Sequence, residues 1–438
     1  MNLAVIGSGG REHAICYKLK QSKKLKKLYC IPGNAGTQKI AENIKEDISN
    51  FRAIYQLIKK KSIDIVIIGP EQPLVDGMVD YLKKKNIKVF GPNKFASKLE
   101  GSKAFMKNLC EKNKIPTAKF GVFSNFNDAS VFIKNNGAPI VVKADGLAAG
   151  KGVTVCNSVS EALKNSKEIL DGKFSSSKKV VLEEFLVGEE LSYFLVVDDN
   201  TYHFFGSAQD HKRVGEGDKG PNTGGMGAYS PAPLLTLQLE KKIKKKIIEP
   251  TLKSMKRLGH PYKGFLYAGL MICKNEPYLI EYNIRMGDPE CQAILPRLDT
   301  DILKIINATV ENKLSKVKIK DTDVGFIAVS QEANDILIAV KERKAFGKRI
   351  LDFQNTQFKL AERFTEAKLA RTFVDQCAMQ LAEGKLDDAT AAMAKWWTTQ
   401  KQCEIVDECL QFFGGYGYMM EYPIAKMYAD SRVQKIYG

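Results

Sequence analysis

Residues 138–153 read APIVVKADGLAAGKGV. Val141 and Val142 close an apolar strand, and Lys143 stands at its end. Asp145-Gly146 breaks the strand, and Gly150-Lys151-Gly152 follows in a loop able to approach a polyanion closely. Glycines let backbone N–H groups face phosphate oxygens, while lysines neutralise the charge. Taken alone, a hairpin with solvated lysines is the simpler reading. Matching pieces along the chain tip the balance toward a phosphate loop. No Ser or Thr follows Lys151 and GxxxxGK[ST] occurs nowhere, so a nucleotide bound here is bound without a P-loop.

Upstream, strand and helix alternate. Asn2–Ile6 precedes Gly7-Ser8-Gly9-Gly10-Arg11-Glu12-His13, Leu28–Ile31 ends at Pro32-Gly33-Asn34, Ile63–Ile68 ends at Gly69-Pro70-Glu71, and Val89-Phe90 ends at Gly91-Pro92. Strands that each stop at a Gly/Pro turn predict a parallel, doubly wound sheet with its ligand at the carboxyl edge. The GSGG turn is weak evidence for a nicotinamide cofactor, because GxGxxG is incomplete and no acidic residue is placed for a ribose. From about Lys103 to Val324 the pattern turns to mixed α+β, with strands expected at 139–143, 179–184, 191–197, 265–272 and 278–283. The helix expected over 235–258 carries lysine runs that read as a solvated face.

Three further stretches carry chemistry. In Ile280-Glu281-Tyr282-Asn283-Ile284-Arg285, alternation puts Glu281, Asn283 and Arg285 on one face of an extended segment. A carboxylate and an amide oxygen two residues apart suit magnesium, and an arginine beside them stabilises charge on a transferred phosphoryl group. Gly287-Asp288-Pro289-Glu290 continues the polar cluster. Residues 209–231, QDHKRVGEGDKGPNTGGMGAYSP, hold six glycines with Asp210, His211, Lys212 and Arg213. Such a stretch reads as a loop ordered by a ligand or a partner. Val181–Glu190, VLEEFLVGEE, puts acidic residues at a strand end, where a hinge can face an adenine edge and ribose hydroxyls.

Bulk properties set the frame. A chain of 438 residues has room for roughly three domains. Its net charge of +17 comes with almost no aromatics interleaved among the lysines, so no nucleic-acid groove is indicated and anionic small substrates are the expected partners. Nine cysteines without CxxC or CxxH spacing predict free thiols rather than a zinc site. No apolar run reaches the length of a membrane span and the chain opens on a strand, which predicts a soluble cytoplasmic protein.

The strings GSGGREH, PGNAGT, GPEQPLVDG, LEGSKAFMK, KADGLAAGKGV, LEEFLVGEE, GPNTGGMGAYSP, GFLYAGLMI and IEYNIRMGDPE, in that order from Met1 to about Val324, resemble the glycinamide ribonucleotide synthetases. These are ATP-grasp ligases of purine synthesis that join phosphoribosylamine to glycine. The resemblance implies a pre-ATP-grasp domain at 1–102 and an ATP-grasp domain at 103–325, with a mobile lid over about 120–190. It implies ATP with Mg2+ or Mn2+ as cofactors. Lys103 and Lys143 would contact the ATP phosphates, and the Lys151 loop would fold over them. Glu183 and the backbone near Phe185 would meet adenine, with Glu190 toward the ribose. Glu281 and Asn283 would hold the metal. Arg285, Asp288, Asp210 and Lys212 are candidates for the reacting centre, and Gly9, Gly10, Gly69, Pro73 and Leu74 for the sugar phosphate.

Near 325–340 the character of the chain changes. Arginine and alanine gain, both tryptophans (Trp396, Trp397) fall downstream, and 351–383 and 387–411 have helical spacing. From about Lys341 the strings KERKAFGKRILDFQNTQFKLAE, MAKWW and VDECLQFFGGYGYMMEYPIAKMYADSRVQKIYG resemble the C-terminal helical domain of acyl-CoA dehydrogenases, with 326–340 as the junction. That resemblance implies that Arg343, Phe346, Gln354 and the Gly414-Gly415 turn would lie along FAD of a neighbouring subunit. The preceding domains of that family are missing, and no catalytic base for acyl-CoA is identifiable. Dehydrogenase activity is therefore not expected, and FAD binding or self-association through the tail stands as an alternative. The expectation is a chimera: an ATP-dependent ligase body, active or inactive, with a foreign helical tail.

Overall fold

The computed structural model describes residues 1–148, 152–174, 177–215, 219–322, 325–329, 344–345, 347–382, 385–419 and 423–435. They divide into two units, one of residues 1–212, 224–322 and 326–328, the other of 213–223, 323–325 and 329–438.

The first unit is built on three sheets. Strands β1 (Asn2–Gly7), β2 (Lys27–Pro32), β3 (Glu42–Asn43), β4 (Ile65–Ile68) and β5 (Lys88–Phe90) form a parallel sheet in the order β3-β2-β1-β4-β5. All four residues of β4, Ile-Val-Ile-Ile, are buried, as both faces of a parallel sheet must be when helices cover them. This is the doubly wound sheet expected from the Gly/Pro-terminated strands. Its carboxyl edge carries the Gly7–Gly10 turn and Gly69, from which the helices Gly10–Lys20 and Glu71–Asp76 start.

A second, antiparallel sheet holds β6 (Phe120–Phe123), β7 (Ile140–Ala144), β8 (Val153–Cys156) and β9 (Val180–Glu184) in the order β6-β9-β7-β8. The helices Phe126–Asn136 and Val159–Leu170 are started by Asn125 and Ser158, whose side chains accept from Asp128 N and Glu161 N. They pack with this sheet around Ile133, Ile140, Val142, Ile169 and Leu182, a core of its own.

The third sheet runs β14-β13-β10-β11-β12-β15, from β10 (Glu189–Val197), β11 (Tyr202–Gly215), β12 (Lys219–Ser230), β13 (Gly264–Cys273), β14 (Glu276–Asn283) and β15 (Phe326–Val329). Within the glycine-rich stretch 209–231, expected as an irregular loop, residues 209–215 and 219–230 lie in β11 and β12 instead. Strand pairing is carried by backbone groups, so glycines that cannot build a core can still extend a sheet. The helix expected over 235–258 is interrupted, as Leu237–Ile243, a wide π turn at Lys244–Ile248 and Glu249–Arg257. Pro250 near the start of the last piece has no N–H for the preceding turn, which accounts for a break there.

The second unit is helical. Helices Gln354–Ala382, Asp388–Phe413 and Pro423–Gln434 follow a short antiparallel pair at Lys344–Ala345 and Lys348–Arg349. Asp387 starts the second helix by accepting from Thr390 N at 2.9 Å. Val406, Cys409, Phe412, Phe413 and Ile424 make a small core. Among the described residues, no helix of either unit is long and apolar enough to cross a membrane.

Candidate active site

Two lysines from different elements approach the loop after β7. Ser102 starts helix Lys103–Lys112 by accepting from Phe105 N at 3.1 Å, and donates to Asp145 Oδ1 at 3.0 Å. The same oxygen accepts from Ala104 N at 3.1 Å. The carboxylate thus sits where the unpaired N–H groups of a helix start favour negative charge. Lys103 Nζ donates to Gly146 O at 3.0 Å, and Gly146 has a φ of +104°, which a side chain would resist. Burial pushes the Lys103 ammonium down, the Glu281 carboxylate pulls it back up, and Lys143 adds to the repulsion. Lys143 and Glu281 are thus both within electrostatic reach of Lys103.

Lys143 is almost wholly buried and pairs with Glu183 Oε1 at 2.9 Å. Register explains the contact: Val141 lies opposite Glu183 and Lys143 opposite Val181, so Lys143 and Glu183 are diagonal neighbours on one face of the β7–β9 pair. The other oxygen of Glu183 takes Lys107 Nζ at 2.7 Å. Burial works against the Glu183 anion, yet Lys143 and Lys107 together hold its carboxyl below the usual range.

Past the end of β14, Arg285 is gripped on all sides. Nε donates to Glu71 Oε2 at 3.2 Å, Nη1 to Met286 O at 3.2 Å and Nη2 to Glu100 Oε1 at 2.9 Å. Glu100 also accepts from Ile284 N at 2.8 Å. Burial pushes the Glu100 carboxyl up despite Arg285. For Glu71 burial again pushes upward, but Arg285, the residue's own backbone N–H and Arg11 together outweigh it and the carboxyl lies below its ordinary value.

Asp288 reaches the amino edge of the first helix, accepting from Arg11 N at 3.1 Å and from Gln292 Nε2 at 2.6 Å. Arg11 in turn bonds Glu12 Oε1 at 2.6 Å and Met286 O at 3.1 Å. Glu12 closes this corner by accepting from Gly9 N at 2.7 Å, and a Cβ at Gly69 would collide with its carboxylate. A small cavity lined by Arg11, Gly69, Gly91, Ile284, Arg285 and Met286 lies between the β4 turn and the end of β14.

Opposite Glu281 on β13 stands Gly269, and opposite Asn283 stands Tyr267. A Cβ at Gly269 would lie 3.4 Å from Glu281 Cγ, so the glycine leaves room for that side chain. Among the described residues no three His, Cys, Asp or Glu side chains form a complete metal cage. Magnesium held by one carboxylate, one amide oxygen, nucleotide phosphates and water needs none. The donor set fits.

The other expected site residues fall as follows. Gly9 and Gly10 open the first helix, but the Gly9 N–H is engaged by Glu12. Pro73 and Leu74 are buried in helix Glu71–Asp76, with the Leu74 side chain in the core. Of that turn, Gly69 reaches the cavity. Phe185 and Glu190 are half-buried between β9 and the start of β10, where Glu190 O accepts from Gln209 Nε2 at 3.3 Å. Asp210 is half-buried on β11. Lys151, the Lys212 side chain, Arg343 and Phe346 lie outside the described residues. Gln354 begins the first tail helix, and Gly414-Gly415 the turn after the second. The sequence reading passed over Glu12, Glu71, Glu100, Lys107 and Asp145 as functional groups. Each lies inside a quoted motif, and for Glu71 and Asp145 an acidic residue shortly after a strand was the available signal.

A four-stranded antiparallel sheet that bears Lys143, a helix that opens on Lys103 and a second sheet that bears Glu281 are the parts of an ATP-grasp enzyme. Residues 1–100 match the N domain, and residues 101–291 the ATP-grasp (A) domain, of phosphoribosylglycinamide synthetase. The chain is 49% identical over 334 residues to the phosphoribosylamine–glycine ligase of Mesorhizobium japonicum, covering 76% of this chain and 79% of that protein. The Brucella melitensis protein of the same name is 48% identical over 343 residues, 78% of this chain and 80% of the relative. The crystal structure of the Thermotoga maritima phosphoribosylamine–glycine ligase superposes with a TM-score of 0.66 at 32% identity, covering 75% of this chain and 80% of that one. A biotin carboxylase domain from Hydrogenobacter thermophilus, at 17% identity and a TM-score of 0.60, shares the fold. The chain belongs to the phosphoribosylamine–glycine ligase family. About a fifth of each relative lies outside the match, and residues 325–438 match the acyl-CoA dehydrogenase C-terminal domain instead.

Proposed function

We propose that the chain joins glycine to 5-phosphoribosylamine at the expense of ATP, using magnesium. The observation that carries this reading is the placing of Lys103 Nζ on Gly146 O just after β7, the strand that bears the buried Lys143, with the Glu281 carboxylate close enough to raise the Lys103 ammonium. Two cations and a carboxylate there suit a nucleotide triphosphate and its metal.

In this reading the glycine carboxylate attacks the γ-phosphorus, ADP leaves, and a glycyl phosphate results. The amine of phosphoribosylamine attacks the acyl carbon next, phosphate leaves, and the amide forms. Lys103 and Lys143 orient the phosphate oxygens and neutralise their charge. Glu281 and Asn283 would hold magnesium, which would supply neutralisation of phosphate charge. Arg285, fixed by Glu71 and Glu100, presents a rigid positive group at the end of β14. Asp288 and Arg11 tie that end to the first helix, beside the turn where the sugar phosphate would rest. No side chain needs to act as a nucleophile, because positioning and charge neutralisation supply the catalysis.

A second reading rests on the replacement of the family's C-terminal part: a chain that binds MgATP without completing the ligation. Glycine-dependent ADP release, measured with ATP, magnesium and freshly generated phosphoribosylamine, separates the two. Turnover that vanishes in Lys143→Ala and in Glu281→Ala is the expected result. MgATP binding without turnover in the unmodified chain would favour the second reading.

A further inference from the structure

Lys107 has no place in the scheme above, yet it is among the most enclosed charges in the protein. Its side chain is 0% exposed, and charged side chains are almost never fully buried unless paired. Its ammonium binds Glu183 Oε2 at 2.7 Å and donates to Thr117 Oγ1 at 2.7 Å. Thr117 donates onward to Leu279 O at 2.6 Å, and Leu279 N donates to Pro116 O at 2.8 Å. A continuous chain of contacts therefore runs from Lys143 on β7 through Glu183 on β9, Lys107 and Thr117 to β14. It arrives two residues before Glu281.

We infer that Lys107 is a positioning residue for the nucleotide: it neutralises Glu183 so that Lys143 is free to serve the phosphates. The inference rests on the proposed role of Lys143. A buried carboxylate needs a counter-charge, and stripping one away is costly. If Lys143 were the sole partner of Glu183, a phosphate could recruit it only by leaving that carboxylate bare. With Lys107 in place, Glu183 keeps one cation whatever Lys143 does. Lys107 comes from helix Lys103–Lys112, outside the lid sheet, and its tie to Thr117 and Leu279 holds the lid strands in register with the strand that bears Glu281. The carboxylate of Glu183 is thereby committed to lysines rather than to an adenine edge.

The test is MgATP binding by calorimetry on the full chain, together with KM values for ATP and glycine. Lys107→Met should weaken MgATP by about tenfold or more, because Lys143 is then trapped by an uncompensated carboxylate. The KM for glycine should not move. Adding Glu183→Gln should restore much of the lost affinity, since the trap is removed. A purely structural role predicts a lower melting temperature with MgATP affinity within about twofold, or additive losses in the double variant; either result overturns the proposal. Should Lys107→Met fail to fold, Thr117→Val keeps every charge and removes the hydroxyl that links Lys107 to Leu279 O. It should weaken MgATP by about threefold, and unchanged affinity overturns the proposal. An unmodified chain that binds MgATP without turnover removes the ligase reading alone, whereas one that binds no MgATP removes both.

Discussion

The first unit and the helical tail spend their apolar residues differently. In the first unit β4 buries four consecutive residues, and Ile65 and Val66 have no exposure at all. In the tail, helix Gln354–Ala382 buries only Thr356 and Cys377 among its described side chains, while Phe358, Phe364 and Leu381 are 63–67% exposed. Charges follow the same division. The Lys107–Glu183–Lys143 set is nearly sealed from water, whereas the tail's Lys401 joins Glu366 and Glu404 across two helices at a half-open surface. A segment can therefore keep the sequence of a known helical domain, and its helices, without a matching enclosed core. Large exposed apolar groups of this kind are what a domain shows when its packing partners are not supplied.

The largest effect that separates the regions comes from their ion pairs. Glu183→Ala leaves Lys107 buried without its carboxylate and should destabilise the first unit by about 3–5 kcal/mol. Lys401→Ala should leave the tail's transition nearly where it was, because water and neighbouring side chains replace the contact. Urea unfolding read by hydrogen exchange and mass spectrometry follows residues 1–322 and 354–434 separately. Equal shifts from the two variants would erase the distinction.

Acid sharpens the same contrast. The folded-state carboxyl of Glu183 is held below its ordinary value of 4.5. Its stabilisation is therefore fully present above that pH and is lost as pH falls through the lower, folded value. The first unit should lose stability below pH 4.5 with little dependence on salt, and Glu183→Gln should flatten that limb. In the tail, the lysine beside Glu404 lowers its carboxyl, but at an open surface that salt screens. A first unit whose acid limb shifted strongly in near-molar salt would mean that its charges are not sealed.

What the sequence made legible follows from how local each feature is. Four strands of the parallel sheet could be read because each ends in a Gly/Pro turn, a signal confined to a few residues; β3, which runs on into Ile44, carries no such turn. The tail helices were legible from their apolar spacing. Strands β11 and β12 were not, since their pairing depends on backbone partners elsewhere in the sheet and their glycines argue locally for a loop. At the site, Lys143 stood out at the end of an apolar strand and Glu281 by its alternation with Asn283 and Arg285, whereas Lys103 came from the resemblance of LEGSKAFMK alone. Lys107 did not, because its partners Thr117, Glu183 and the strand at Leu279 are far away in sequence, and a lysine on a helix ordinarily reads as solvated. The two carboxylates that grip Arg285 were hidden for the same reason: Glu71 and Glu100 are 214 and 185 residues from it.

The smallest effect is expected at an exposed aromatic of the tail. Trp396 is 67% exposed, while its neighbour Trp397 is half-buried, and the chain has no other tryptophan. Trp396→Gln should change tail stability by about 0.5 kcal/mol or less, as surface substitutions usually do. It should nevertheless move the remaining emission to shorter wavelength, since the water-facing indole is the one removed. Truncating a fully enclosed ring of the first unit, as in Phe194→Ala, should cost about 3–5 kcal/mol by comparison. A large loss of stability from Trp396→Gln, with no blue shift, would mean that the indole is covered in solution. Its burial would then have to be sought in another copy of the chain or a partner, and the tail would no longer be the loosely packed half of the comparison.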